Sequence, residues 1–479
     1  MGLFGTAGIR GDARESVTPS LALAVGQAVG QKATEVVIAR DGRETGTALA
    51  GAVESGVTSG GARALRAGQL PTPALAYASR GRHGVMLTAS HNPPPDNGIK
   101  LFVDGEEFDA EREARIEEHV DDGPTPVEWD EWGATERLEA LSTYRQAVVE
   151  YARAVGIDAR SYAERATGST EINLNGLTVV VDCANGMASL ATPQVLRELG
   201  AHVVALNANV DGHFPGRPSK PTPVTLSDLR EFVEGYEDPV VGIGHDGDAD
   251  RIVIVDGTGA VVHEDTVLAI LAEHYVRASD ASDPVVVTTP NASDRIDERV
   301  EAVGGRTERV RLGYLHDGIA TVHEESGSVV FAGEPWKHIH PGFGSWIDGV
   351  TSAAVVSVLV ATAAEDPDDP QVEGGQNGLA VLRDPITERP YRKENVTCPD
   401  GYKSQAMERV PQRLSEQFPA ATINEEHGVR LAFDDGAWTL VRPSGTEPYI
   451  RVYAESTGVD ELVDTVTSVV DRAVNDARD

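Results

Sequence analysis

Thr88-Ala89-Ser90-His91-Asn92-Pro93-Pro94-Pro95-Asp96-Asn97-Gly98-Ile99-Lys100 is the stretch from which the rest of the chain can be read. It follows the apolar run Val85-Met86-Leu87, which predicts a buried strand with Ser90 emerging on the loop at its end. Three prolines exclude helix and sheet ladder across Pro93 to Pro95, and Asp96-Asn97-Gly98 predicts a turn before Ile99 resumes a strand. The loop is therefore stiff and displays one hydroxyl. His91 and Lys100 stand beside it, an imidazole and an ammonium able to move a proton or hold a phosphate. Taken alone, a proline-rich surface turn is the simpler reading, and the other motifs reverse it.

His245-Asp246-Gly247-Asp248-Ala249-Asp250-Arg251 lies between two apolar strands, Val240 to Ile243 and Ile252 to Val255. Carboxylates at alternate positions on a tight turn converge on one point, as a hard divalent cation requires. An EF-hand beginning at Asp246 is excluded, because Arg251 stands where glycine is needed and Gly257 where glutamate is needed. The Gly242-x-Gly244-x-x-Gly247 spacing fails as a dinucleotide fingerprint, since a strand follows where a helix must begin. Mg2+ is the cation expected.

Nearer the C-terminus, Arg442-Pro443-Ser444-Gly445-Thr446-Glu447-Pro448 sits between two strands and is followed by Arg451. Two guanidinium forks, two hydroxyls and a glycine-exposed backbone make a phosphate cradle. Gly5-Thr6-Ala7-Gly8-Ile9-Arg10-Gly11 is a flexible loop ending in a cation. Gly333-Glu334-Pro335-Trp336-Lys337-His338 offers a carboxylate, a ring, an ammonium and an imidazole, suited to reading sugar hydroxyls and balancing phosphate charge. Trp336 reads equally as an interdomain plug.

Composition narrows the class. At 479 residues the chain predicts three or four domains, and no apolar run approaches the ~20 residues of a membrane span. Cys183 and Cys398 are too few for a disulfide scaffold or a multi-cysteine metal site. With no secretory pattern at the start, a cytoplasmic location is expected. The formal charge of -35 argues against a nucleic-acid partner and suits a high-salt cytoplasm, where screening relieves self-repulsion. Only six lysines stand against 35 arginines, which gives Lys100 and Lys337, both in candidate site loops, added weight.

Strands alternate with helices three times: through Glu35 to Val103, through Leu177 to Val255, and from Asp265 to the apolar helix Val350 to Ala364. A charged, helix-breaking linker from Glu365 to Gly378 follows. Beyond it, a helix near Ser404 to Phe418, strands at Val429 to Phe433, Trp438 to Arg442 and Ile450 to Glu455, and a last helix from Asp460 predict a smaller α+β unit.

TASHNP, DGDADR and RPSGTEP, in this order and spread over nearly the whole chain, resemble the α-D-phosphohexomutase family, the phosphoglucomutase and phosphomannomutase group. The resemblance implies three α/β three-layer domains and a C-terminal α+β domain around a central cleft. These are placed at 1–157 with the phosphoserine loop, 158–262 with the metal loop, 263–376 with the sugar loop and 377–479 with the phosphate loop. It implies that Ser90 carries a phosphoryl group and that Asp246, Asp248 and Asp250 hold Mg2+ beside it. Arg251 and Lys100 would assist transfer, with Lys100 as proton acceptor. Glu334 and His338 would face the sugar, and Arg442, Ser444, Gly445, Thr446 and Arg451 would grip the phosphate that is not moving. The residue reading adds Arg10 to the catalytic set and Lys337 to the substrate contacts.

The activity so implied moves a phosphoryl group between C1 and C6 of a glucose or mannose phosphate, with a sugar bisphosphate as intermediate and activator. Phosphoglucosamine and phosphopentose mutases are alternatives, as are a Mg2+-dependent sugar phosphatase and a non-catalytic sugar-phosphate binding protein. Many family members have Gly-Glu-x-Ser-Gly-His where this chain has Trp336 and Lys337, which leaves the sugar open. Nothing in the residues fixes an oligomeric state.

Overall fold

The computed structural model describes residues 2–5, 8–162, 172–236, 239–364, 378–445 and 447–478. Thr446, residues 365–377 of the expected linker, and Thr6 and Ala7 of the first glycine loop lie outside the described residues. The chain forms two compact units, one of Met1–Val267 with Trp336–Arg383 and one of Leu268–Pro335 with Asp384–Asp479.

The first unit carries two sheets. Strands β1 (Ile9–Asp12), β2 (Glu35–Arg40), β3 (Arg63–Gln69), β4 (His83–Leu87), β5 (Asp96–Val103), β6 (Glu106–Glu107) and β7 (Thr135–Arg137) form one, ordered β1-β5-β4-β2-β3-β7 with β6 on β5. β2 and β4 pair in parallel and read as continuous apolar runs because both faces are covered. Helices Pro19–Gly30 and Gly46–Ser59 pack together nearly backbone to backbone: a Cβ at Gly26 would lie 2.4 Å from the Val53 carbonyl, and one at Gly30 2.5 Å from that of Val57.

The expected turn at Asp96-Asn97-Gly98 is instead the start of β5, whose first residues pair with β1 as Asp12↔Asp96, Gly11↔Asn97 and Arg10↔Gly98. Gly98 makes this possible, since a Cβ there would stand 2.4 Å from the Thr88 carbonyl and 2.6 Å from that of Ile9. The helix foreseen near Leu141 to Val155 runs on to Tyr162, past the boundary placed at residue 157.

The second sheet, ordered β11-β10-β8-β9, joins β8 (Thr178–Asp182), β9 (His202–Leu206), β10 (Val240–His245) and β11 (Ile252–Val255). β8, β9 and β10 are parallel, while β11 returns antiparallel to β10. The hairpin between β10 and β11 is the triple-aspartate loop. Helix Gly349–Ala363, almost wholly buried, is apolar on every side and packs against Leu141–Tyr162.

In the second unit, β12 (Pro284–Thr288), β13 (Arg306–Arg309) and β14 (Ser328–Glu334) form a parallel sheet ordered β13-β12-β14. The chain then passes through β15 (Lys337–Ile339), which belongs to the first unit. An antiparallel sheet follows in the order β16-β20-β19-β18-β17, built from β16 (Tyr391–Thr397), β17 (Thr422–Asn424), β18 (Val429–Ala432), β19 (Trp438–Pro443) and β20 (Tyr449–Glu455). Helices Asp400–Gln417 and Val459–Arg478 cover it. β16 is not foreseen by pattern, because only Val396 of its seven residues is buried. It is an edge strand held by register with β20, from Tyr391↔Glu455 to Thr397↔Tyr449.

Candidate active site

Ser90 lies just past the C-terminal end of β4, at a positive φ of 51°. A left-handed serine is uncommon and persists only where its surroundings hold it. Rather than standing out on a surface turn, the side chain is buried: its hydroxyl donates to Asp246 Oδ2 at 2.8 Å and lies 3.2 Å from His91 Nδ1. The backbone of the metal loop reaches Ser90 because residue 247 is glycine, where a Cβ would sit 2.5 Å from the Ser90 carbonyl. Ala249, at φ 62°, carries the same backbone strain on the facing loop.

Asp246, Asp248 and Asp250 are all buried and each offers an oxygen within 4.8 Å of the others. Lys100, 3% exposed, donates to Asp248 Oδ2 at 3.3 Å and to Asp250 Oδ2 at 2.9 Å. Asp248 Oδ1 and Asp250 Oδ1 are buried and accept no hydrogen bond among the described residues. Buried carboxylate oxygens left in this state are what a small, hard dication completes, so the residues fit Mg2+. Arg251 Nε approaches Asp246 at 3.6 Å and Asp250 at 3.7 Å.

Burial, reinforced by the charges of Asp250 and Asp248, pushes the Asp246 carboxyl well above the ordinary range. Burial acts the same way on Asp250, but Lys100, Arg251 and Lys337 outweigh it and hold that carboxyl far below. For Lys100, burial opposes the charged form, yet Asp248 and Asp250 more than offset it and raise the ammonium above its ordinary value. Lys100 is thus a cation in this arrangement. Burial, with Arg251 and Arg10 nearby, drops His91 to about 3, so that ring is neutral.

Arg10 lies in β1 opposite Gly98, with its Nε buried and without a hydrogen bond among the described residues. Its charge is felt at both His91 and Lys100. Lys337 opens β15, and its charge acts on Asp250. Trp336, at φ 68°, packs against the apolar cluster that includes Val240, Val253 and Val255, and its carbonyl accepts from Ile252 N at 3.1 Å, so the residue borders the core beside the metal loop. His338 is buried with Nδ1 3.0 Å from Ser352 Oγ, and burial lowers it to about 3. The Ser352 hydroxyl donates to the Asp348 carbonyl at 2.7 Å, so the ring must donate through Nδ1 and keep Nε2 as an acceptor.

The other predicted residues lie in the second unit. Glu334 ends β14. Arg442 and Arg451 are cross-strand partners on β19 and β20, each with a buried Nε that has no hydrogen bond among the described residues. Arg451 pairs with Glu447 at 2.6 Å, and Arg442 lies 3.5 Å from the Tyr453 hydroxyl. Ser444 Oγ accepts from Glu447 N, and Gly445 is exposed. Lys403, passed over in sequence, braces this loop from beneath by donating to the carbonyls of Ser444 and Glu447 at 2.6 Å each.

Two further residues were not singled out, Asp41 and Arg43. They follow β2, the parallel neighbour of β4, and an Asp-Gly-Arg at the C-terminal end of an apolar strand was the available signal.

The chain matches the families described as "Phosphoglucomutase/phosphomannomutase, alpha/beta/alpha domain I" over residues 1–126, "alpha/beta/alpha domain II" over 160–259 and "C-terminal domain" over 394–472. A phosphopentomutase of Thermococcus kodakarensis is 41% identical, the alignment covering 100% of this chain and 99% of the relative. A probable phosphoglucosamine mutase of Methanopyrus kandleri is 39% identical over 99% of both chains. Among solved structures, a phosphoglucomutase/phosphomannomutase family protein of Burkholderia thailandensis shares the fold with a TM-score of 0.81 at 22% identity, covering 99% of this chain and 97% of the other. The chain belongs to the phosphoglucomutase/phosphomannomutase family of the α-D-phosphohexomutase superfamily.

Proposed function

We propose that this chain is a phosphosugar mutase that works through phosphoSer90. The observation that carries the reading is the buried hydrogen bond from Ser90 to Asp246, which sets one hydroxyl against three convergent carboxylates, with Arg10, Arg251 and Lys100 around it. Phosphoryl transfer asks chiefly for positioning and for neutralisation of charge spread over the moving group. PhosphoSer90 would give its phosphoryl group to a free hydroxyl of the bound sugar phosphate. The Oγ–P bond breaks, the sugar O–P bond forms, and the hydroxyl proton ends on Ser90 Oγ. The resulting bisphosphate turns over and returns its other phosphate to Ser90.

Asp246, Asp248 and Asp250 would hold Mg2+ together with the Ser90 group, and that ion would supply Lewis-acid neutralisation of the transferring phosphoryl oxygens. Arg10 and Arg251, with guanidinium nitrogens not committed to hydrogen bonds, would bind its equatorial oxygens. Lys100 would hold Asp248 and Asp250 in place and keep Asp250 ionised. His338 Nε2 would accept from a sugar hydroxyl, and Glu334 and Lys337 would contact the sugar as well. Arg442, Ser444, Gly445, Thr446 and Arg451 would retain the phosphate at the other end, which supplies orientation.

The hexose reading moves the group between C1 and C6 of glucose or mannose phosphate. Trp336 and Lys337, in place of the smaller pair common in the family, favour a second reading in which the sugar is a phosphopentose, and the similarity to the Thermococcus phosphopentomutase supports it. Glucosamine phosphate is a third candidate, after the Methanopyrus relative. Catalytic efficiency on the 1-phosphates of glucose, mannose, glucosamine and ribose, with inorganic phosphate release followed in parallel, decides among them. Phosphate release without isomerisation would replace the mutase by a phosphatase, and binding with neither product would leave a binding protein.

A further inference from the structure

We infer that Arg43 is a positioning residue for phosphoryl transfer, a buried clamp that fixes the backbone of Ser90 at both its carbonyl and, through Asp41 and Thr88, its N–H. The inference rests on the mutase reading of Ser90.

Arg43 is 1% exposed, and all five of its guanidinium protons are placed. Nε donates to Asp41 Oδ2 at 3.0 Å. One terminal nitrogen donates to the carbonyls of Pro93 at 2.7 Å and Asp96 at 2.8 Å, the other to those of Ser90 at 3.1 Å and Asn92 at 2.8 Å. Four carbonyls of a seven-residue loop thus converge on one planar fork, which no other side chain can match. The ring of Phe214 lies 5.2 Å from the guanidinium carbon and closes the remaining side.

Asp41 works on the loop from its other end. Its Oδ2 accepts from Thr88 Oγ1 at 2.7 Å, and Thr88 Oγ1 in turn accepts from Ser90 N at 2.8 Å. Both backbone polar groups of Ser90 are therefore tied to one buried ion pair, at the residue whose left-handed φ most needs holding. None of these contacts touches the Ser90 hydroxyl, which stays available for chemistry. The prolines stiffen the loop, and Arg43 supplies what they cannot, since carbonyls folded away from water need donors.

The clamp predicts a loss in the transfer step with substrate binding kept. Arg43→Lys retains the charge but offers three donors from a point. Single-turnover transfer between phosphoSer90 and sugar phosphate should fall about 100-fold, as expected for a displacement of about 1 Å, with KM and Mg2+ requirement changed less than about threefold. Thr88→Val removes the link between Ser90 N and Asp41, both hydrogen bonds of the Thr88 hydroxyl, and should slow transfer about tenfold. Circular dichroism and thermal unfolding establish that each variant is folded, and if Arg43→Lys is not, Thr88→Val carries the test. A wild-type transfer rate in a folded variant overturns the clamp. So does a slowing matched by an equal rise in KM, which marks general loosening. Mass analysis of the wild-type enzyme after exposure to sugar bisphosphate separates the two ideas, since an unmodified Ser90 would sink the mutase reading and the clamp's catalytic purpose with it.

Discussion

Replacing Lys100 by methionine tests the electrostatics of the site most directly. The side chain is 3% exposed and its ammonium contacts Asp250 at 2.9 Å and Asp248 at 3.3 Å, in a cluster that also contains buried Asp246. Methionine nearly preserves the volume, which keeps the packing cost below about 1.5 kcal/mol. What is lost is the counter-charge, and breaking a buried ion pair from one side costs about 3–5 kcal/mol. In excess chelator the unit that holds Lys100 should therefore unfold about 4–8 °C below the wild type, taking about 1.5 °C per kcal/mol for its size. Mg2+ should narrow that gap, because the ammonium and the dication draw on the same carboxylates. At about 100 times its dissociation constant a ligand stabilises by about 2.7 kcal/mol, and the variant, freed of the competing cation, should gain more than the wild type. Thermal unfolding of both proteins in chelator and in Mg2+ measures the four values. A loss under about 1 kcal/mol in chelator, or a gap indifferent to Mg2+, would refute the assignment of Lys100 as the cluster's fixed cation.

Ser90→Ala should leave the fold intact while turnover falls by several orders of magnitude; near-normal activity is fatal to the phosphoserine mechanism. Acid should destabilise the protein through its buried neutral imidazoles. Burial lowers His338 to about 3 and His245 to about 4 from an ordinary value of 6.5, so their contribution is complete above pH 6.5 and is lost as the pH falls toward those values. Each costs about 1.4 kcal/mol per pH unit in that window, and His338→Gln should flatten the slope of denaturant midpoint against pH by about one proton. The charge of -35 should make stability rise with KCl from about 0.1 M to about 2 M, followed by the same midpoints; loss of structure at high salt would exclude a halophilic adaptation.

The parts legible in sequence are those where local pattern and burial agree. β2, β4, β8 and β10 are apolar runs because both faces are covered, and the aspartate loop announces itself by its spacing between β10 and β11. What escaped are features set by distant contacts. β16 carries one buried residue and exists through its register with β20, and the start of β5 looks like a turn until β1 is beside it. The roles of Arg43, Thr88 and Lys403 stay hidden for the same reason: each acts on backbone carbonyls or amides, which leave no chemical signature in a string of side chains. Nor does the sequence show that two of the aspartates close on the Lys100 ammonium.

The path of the chain through its two units bears on how the protein is made. Helix Leu141–Tyr162 finds its cover in Gly349–Ala363, a segment that leaves the ribosome roughly 190 residues later, about 10–40 s at ordinary elongation rates. Through that interval a nascent apolar surface has no lid of its own, and a chaperone or a slowed message around these codons would protect it.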